Sequence, residues 1–153
     1  MRFVRLLACA AAMLLATATV SLAADKPSAD DAKALTVKAA ELIGAKGLDA
    51  ARAVLHEEGE FKHGELYVNV INSAGTWLVY PPTPSAEGRS VIDIQDSSGK
   101  FLVRDIIKVA KDQGEGWVDY RWMNPATRQI APKTTFVKLV PDTDMIVYVG
   151  VYK

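Results

Sequence analysis

Two adjoining segments carry the residues best suited to chemistry. Gly116-Trp117-Val118-Asp119-Tyr120-Arg121-Trp122 leads to Asn124-Pro125, and then to Pro132-Lys133-Thr134-Thr135-Phe136-Val137. Alternation along a strand puts Val118, Tyr120 and Trp122 on one face and Trp117, Asp119 and Arg121 on the other. Rings that each carry one polar atom can wall a pocket and still hydrogen-bond inside it. Lys133, following Pro132, is expected at the start of a strand, where a compact ammonium can meet an anionic ligand. Earlier aromatics complete a candidate ligand-binding set of Tyr67, Trp77, Tyr80, Trp117, Tyr120, Arg121, Trp122 and Lys133. The plainer reading of the same residues is rings that only pack and a lysine that only meets solvent.

Other constellations carry less. His56 and His63 lie among Glu57, Glu58 and Glu60, but Gly59 interrupts them and no His-Glu-x-x-His face forms, so a solvated turn is expected and no metal site. Asp93, Asp96 and Ser98 lack the ligand alternation of a calcium loop, which leaves helix capping as the role expected of Asp96. There is no Gly-x-Ser-x-Gly elbow and no phosphate-cradling glycine pattern, so neither a catalytic residue nor a cofactor is assigned. Lysine plus arginine and aspartate plus glutamate both number 18, scattered rather than clustered, which argues against a nucleic-acid partner.

The elements that must position the aromatic set follow from periodicity. Ser28 and Asp31 form a capping box for a helix with Leu35, Ala39, Leu42 and Ile43 on its apolar stripe; Gly44 and Gly47 end it, and Leu48, Ala51, Val54 and Leu55 begin a second. The period then becomes two: Leu66, Val68 and Val70 oppose Tyr67, Asn69 and Ile71. A second strand spans 76–80, and Pro81-Pro82 ends it because proline donates no ladder bond. A proline-rich loop and the unassigned connector 92–95 precede a helix over 100–111, with Phe101, Leu102, Ile106 and Val109 as its buried stripe. Strands over 117–123, 134–140 and 145–151 complete an α+β domain: a five-stranded antiparallel sheet with N-terminal helices and a connecting helix.

The N-terminus has a different character. Arg2 and Arg5 precede an apolar stretch from Leu6 to Val20, and Ser21-Leu22-Ala23 offers small residues for cleavage. Residues 1–23 are predicted to be a cleavable signal peptide, which makes the product periplasmic or secreted; an uncleaved anchor is the alternative, with an apolar stretch short of the ~20 residues of a comfortable span. The single cysteine, Cys9, lies in that leader, so the mature chain depends on packing rather than disulfides.

The aromatic run does not stand alone. Gly64-Glu65-Leu66-Tyr67-Val68-Asn69-Val70, Gly75-Thr76, Asp96-Ser97-Ser98-Gly99-Lys100, Gly116-Trp117 and Gly150-Val151-Tyr152 follow in an order that resembles single Cache domains of type 2, extracellular small-molecule sensing modules of bacteria. Two positions depart from the family pattern: Tyr80 stands where many members carry His, and Phe136 where many carry Tyr, both expected near the ligand. The resemblance, over 28–153, implies a PAS-like core and a non-catalytic binder of a small organic acid or amino acid. Its partner would be a membrane signalling or transport protein, addressed in trans. The alternative is an accessory or structural protein of an envelope complex with a vestigial pocket.

Overall fold

The computed structural model describes residues 26–153. The predicted leader lies outside them. Helix α1 (Ala29–Lys46) starts at the expected capping box: the Ser28 hydroxyl accepts from the Asp31 backbone amide at 3.2 Å, and the Ser28 amide donates to Asp31 Oδ2 at 2.8 Å. Gly44 sits inside the helix, and the break falls at Gly47, whose φ of 80° suits glycine. Helix α2 (Leu48–His56) follows directly.

A small ladder then forms from β1 (Lys62–His63) and β2 (Leu66–Tyr67). The main sheet contains β3 (Asn69–Asn72), β4 (Trp77–Val79), β5 (Glu115–Asn124), β6 (Gln129–Leu139) and β7 (Met145–Tyr152). Its order is β4-β3-β7-β6-β5, antiparallel throughout. The single strand expected from Leu66 onward is therefore two pieces, since Val68 turns its amide to Phe61 O between them. That break delivers Tyr67 on a separate element from Asn69.

Helix α3 (Leu102–Gln113) fills the crossover between β4 and β5 and ends at Gly114, φ 77°. Asp96 does not cap it. Its Oδ1 accepts from the Ser98 hydroxyl and from the Ser98 and Lys100 amides, and its Oδ2 accepts from the Arg121 amide on β5, so both oxygens are spent on closing the loop against the sheet edge. Although burial acts to raise it, these hydrogen bonds hold the Asp96 carboxyl well below the usual carboxylate range.

Strand β6 begins five residues earlier than the sequence suggested, so Lys133 lies within a strand rather than at its start. Pro132 is tolerated because its backbone faces the β7 side, where its carbonyl accepts from the Lys153 amide and the ladder has run out.

The sheet is covered on both faces. Helices α1 and α2 pack Leu35, Ala39, Ile43 and Leu55 against Val68, Val70, Val147, Val149 and Val151. Helix α3 packs Leu102, Val103, Ile106 and Ala110 against Ile71, Val118, Tyr120, Val137 and Tyr148. Double coverage explains why β7 is buried almost end to end while the edge strand β5 alternates. Among the described residues no helix is long and apolar enough to cross a membrane.

Candidate functional site

Under α3 the sheet carries a cavity rather than a uniform apolar layer. Six residues of the predicted set line it together: Tyr67 from β2, Trp77 from β4, Tyr80 just beyond β4, Tyr120 and Trp122 from β5, and Lys133 from β6. Strand alternation brings them to one face, and the antiparallel order brings distant segments into register. Trp77 and Tyr80 stack at 4.0 Å with their planes 4° apart, and Tyr120 meets Trp122 edge-on at 6.3 Å. The cavity holds about 20 Å³, enough for about one water.

Trp117 and Arg121 are not brought into it. Both occupy the opposite face of β5: Trp117 is 41% exposed and lies edge-on to Phe136, and Arg121 is exposed, held by its backbone amide to Asp96. Phe136 is equally distant from the expectation, being buried on the α1 side with Lys33 Nζ 5.1 Å from its ring. Tyr80, the other departure from the family pattern, does line the cavity.

Lys133 is the electrostatic centre of this site. It is 2% exposed, yet among the described residues its ammonium has no carboxylate in contact; Nζ donates to the Tyr67 hydroxyl at 3.0 Å and lies 4.6 Å and 4.7 Å from the Tyr67 and Tyr152 ring centres. Burial pushes its pKa down to about 7, with the charge of Glu65 opposing the fall. Burial likewise pushes the Tyr67, Tyr120 and Tyr148 hydroxyls up, so they remain protonated donors.

The lysine stem reaches Tyr67 by crossing β7 at Gly150. A Cβ there would sit 2.6 Å from Lys133 Cε and 2.2 Å from Thr135 Oγ1, closer than side chains approach. Thr135 in turn donates to the Tyr120 hydroxyl at 2.9 Å. The glycine therefore leaves room for two polar groups of the site at once.

Three contributors were missed at the sequence level. Asn69 shares the Tyr67 face, as the alternation indicated, but was not singled out. Tyr148 interrupts the apolar run of β7, and a buried tyrosine hydroxyl needs a partner; Trp77 Nε1 supplies it at 3.0 Å. Glu87 had no local signal. Its carboxylate takes the Tyr80 amide at 2.7 Å, Arg52 Nη1 at 2.8 Å and His56 Nε2 at 2.9 Å, tying the cavity rim to α2. His56 is thus a half-buried clasp residue, not part of a solvated turn.

The PAS-like arrangement of sheet, connecting helix and enclosed aromatic cavity is that of a sensor domain. Residues 28–153 match the family model of Single Cache domain 2, and the chain belongs to that family. It is 33% identical over 86 residues to the sensor histidine kinase MctS of Rhizobium johnstonii, covering 56% of this chain and 18% of the kinase. A methyl-accepting chemotaxis protein from Vibrio parahaemolyticus superposes with a TM-score of 0.69 at 21% identity, covering 80% of this chain and 86% of the other. A Cache chemosensory domain described for carboxylic acid recognition gives 0.63 at 24%, covering 80% and 86%. The chain spans less than a fifth of the length of the curated relatives it matches. It is a Cache sensor domain homologous to the extracellular sensing domains of kinases and chemoreceptors.

Proposed function

We propose that this protein is an exported sensor module that binds a small carboxylate against Lys133 and signals to a membrane partner in trans. The observation that carries the reading is a buried ammonium with no carboxylate in contact among the described residues. Burying a cation unpaired is costly, and a ligand carboxylate would supply the missing charge by a charge-assisted hydrogen bond to Nζ. Carboxylic acid recognition by a Cache domain of the same fold supports the same class.

The mechanism is a population shift. The cavity is too small for such a ligand as it stands, so binding requires the rim to move. Tyr80 is part of the cavity wall, and residues 81–90, which follow it, fold back on β4 with the Gly88 amide on Trp77 O and the Trp77 amide on Arg89 O. Any displacement of Tyr80 is felt by Glu87, and through it by Arg52 and His56 on α2. The outer face of the N-terminal helices then differs between free and bound states, which is what a partner reads.

The test is a thermal-shift screen against short carboxylates, amino acids and amines. A ligand at a hundred times its dissociation constant adds about 2.7 kcal/mol of stability. The small cavity is the one observation favouring the alternative, an accessory protein with a vestigial pocket. Silence across the panel would select it.

A further inference from the structure

A second charge lies near the buried lysine without touching it. Glu65 stands half-buried in the turn between β1 and β2, two residues before Tyr67, whose hydroxyl takes the hydrogen bond of Lys133. Its Oε1 accepts from Asn124 Nδ2 at 3.0 Å. Asn124 is 5% exposed and ends β5, and its own Oδ1 takes the Ala126 amide at 2.8 Å, which fixes the amide plane. Beside it the Met123 carbonyl accepts from the Tyr152 hydroxyl at 2.7 Å, and the Tyr152 ring lies 4.7 Å from Lys133 Nζ. The cluster places both charges at one end of the cavity, each held by a neutral partner.

Among the described residues the other groups facing Lys133 set no charge against it. Tyr67, Tyr80, Tyr120, Tyr148 and Tyr152 approach from β2, the end of β4, β5 and β7, and burial pushes each of their hydroxyls up, so they stay neutral near pH 7. Lys62, opposite Tyr67 in the small ladder, turns to Glu58 at 2.6 Å. Helix α3 adds Leu102 and Val103 to the lining. Glu65 is left as the charge acting on the lysine, and it opposes the fall of its pKa. A carboxylate in that place has two effects of opposite sense. It eases the burial of Lys133 in the free protein, and it repels an anion that comes to the ammonium.

We propose that Glu65, positioned by Asn124, is a resident opposing charge that holds the cavity's affinity for anions below what Lys133 alone would give. The proposal rests on the anion reading of Lys133. Its signature is a pH dependence. Where the lysine is already charged, a bare anion enters and Glu65 opposes it. Above the lysine's midpoint a proton enters with the anion, the pair is neutral, and Glu65 has little to oppose.

Glu65→Gln removes the charge and keeps an oxygen for Asn124; NMR titration of the Lys133 side chain and calorimetry with acetate and propionate read the effect. The lysine midpoint is expected to fall below the parent's value of about 7. Both acids are expected to bind about three- to tenfold tighter at pH 6, with the gain fading by pH 8. Glu60→Gln, which removes an exposed carboxylate paired with Lys38, should move neither reading. A lysine midpoint unchanged in Glu65→Gln, or moved as much by Glu60→Gln, overturns the role of Glu65 and leaves the anion reading standing. So does weaker binding at pH 6, or a gain of equal size at pH 6 and pH 8, which a change of shape alone would give. If neither acid binds the parent, the anion reading falls and this inference with it.

Discussion

The two faces of the central sheet are built from the same strands and do different work. Along β7, Val147, Val149 and Val151 point to α1 and α2, whereas Ile146, Tyr148, Gly150 and Tyr152 point to the other side. The α1 face is almost wholly apolar; the one buried polar side chain that α1 sends to it, Thr36, is satisfied by Ala32 O. The α3 face holds a lysine, four buried tyrosines, an asparagine and a threonine around a small void. Burial stabilises a valine and penalises an ammonium. One face is therefore the source of stability, and the other holds groups whose unmet demands a ligand can answer.

Substitutions should separate the faces. The largest stability loss is expected from Ile43→Ala on the α1 face, about 2–5 kcal/mol by denaturant unfolding, with ligand affinity of the folded protein unchanged. Lys133→Met should do the opposite. It weakens carboxylate binding by about 1.5–3 kcal/mol, roughly ten- to a hundredfold, and makes the unliganded fold more stable at neutral pH because the desolvated charge is gone. Gly150→Ala pushes a methyl into the Lys133 and Thr135 side chains, and should cost about 1–3 kcal/mol of stability together with affinity. Glu87→Gln is the mildest: a loss of about 0.2–1 kcal/mol, seen as faster amide exchange across residues 80–90 and α2. An Ile43→Ala variant with altered ligand affinity, or a destabilised Lys133→Met, would blur the division.

How much of this was legible depended on whether the signal was local. The capping box at Ser28, the glycine break before Leu48 and the alternation of β5 were readable because each is fixed by neighbours within a few residues. Six of eight candidate residues converge on the cavity because strand alternation assigns faces correctly. Alternation does not say which face a helix covers with a cavity, so Trp117 and Arg121 were gathered with the rest although they look the other way. Asp96 looked like a cap because Asp often is one; its partner on β5 lies 25 residues away. Glu87 reaches back 35 residues to Arg52, a contact made only when the rim loop folds onto α2. The lysine was found but placed at a strand end, since Pro132 reads as a boundary until the neighbouring strand is seen to stop there.

The buried lysine also gives the α3 face a pH signature. Its folded pKa of about 7 lies below the ordinary 10.5, so between these values the unfolded chain binds more protons and this group's contribution to stability rises with pH. Below about pH 7 the contribution is flat. An anionic ligand needs the charged form, so its affinity should be level from pH 6 to 7 and fall about tenfold per unit above that, until the raised pKa of the complex is passed.

The central claim is that Lys133 is a buried cation awaiting an anion, and NMR titration of its side chain with and without a saturating short carboxylate tests it most directly. The account predicts a midpoint near 7 in the free protein, moving well upward on binding. A free-state midpoint at the ordinary 10.5, or one that bound carboxylate leaves in place, would contradict it.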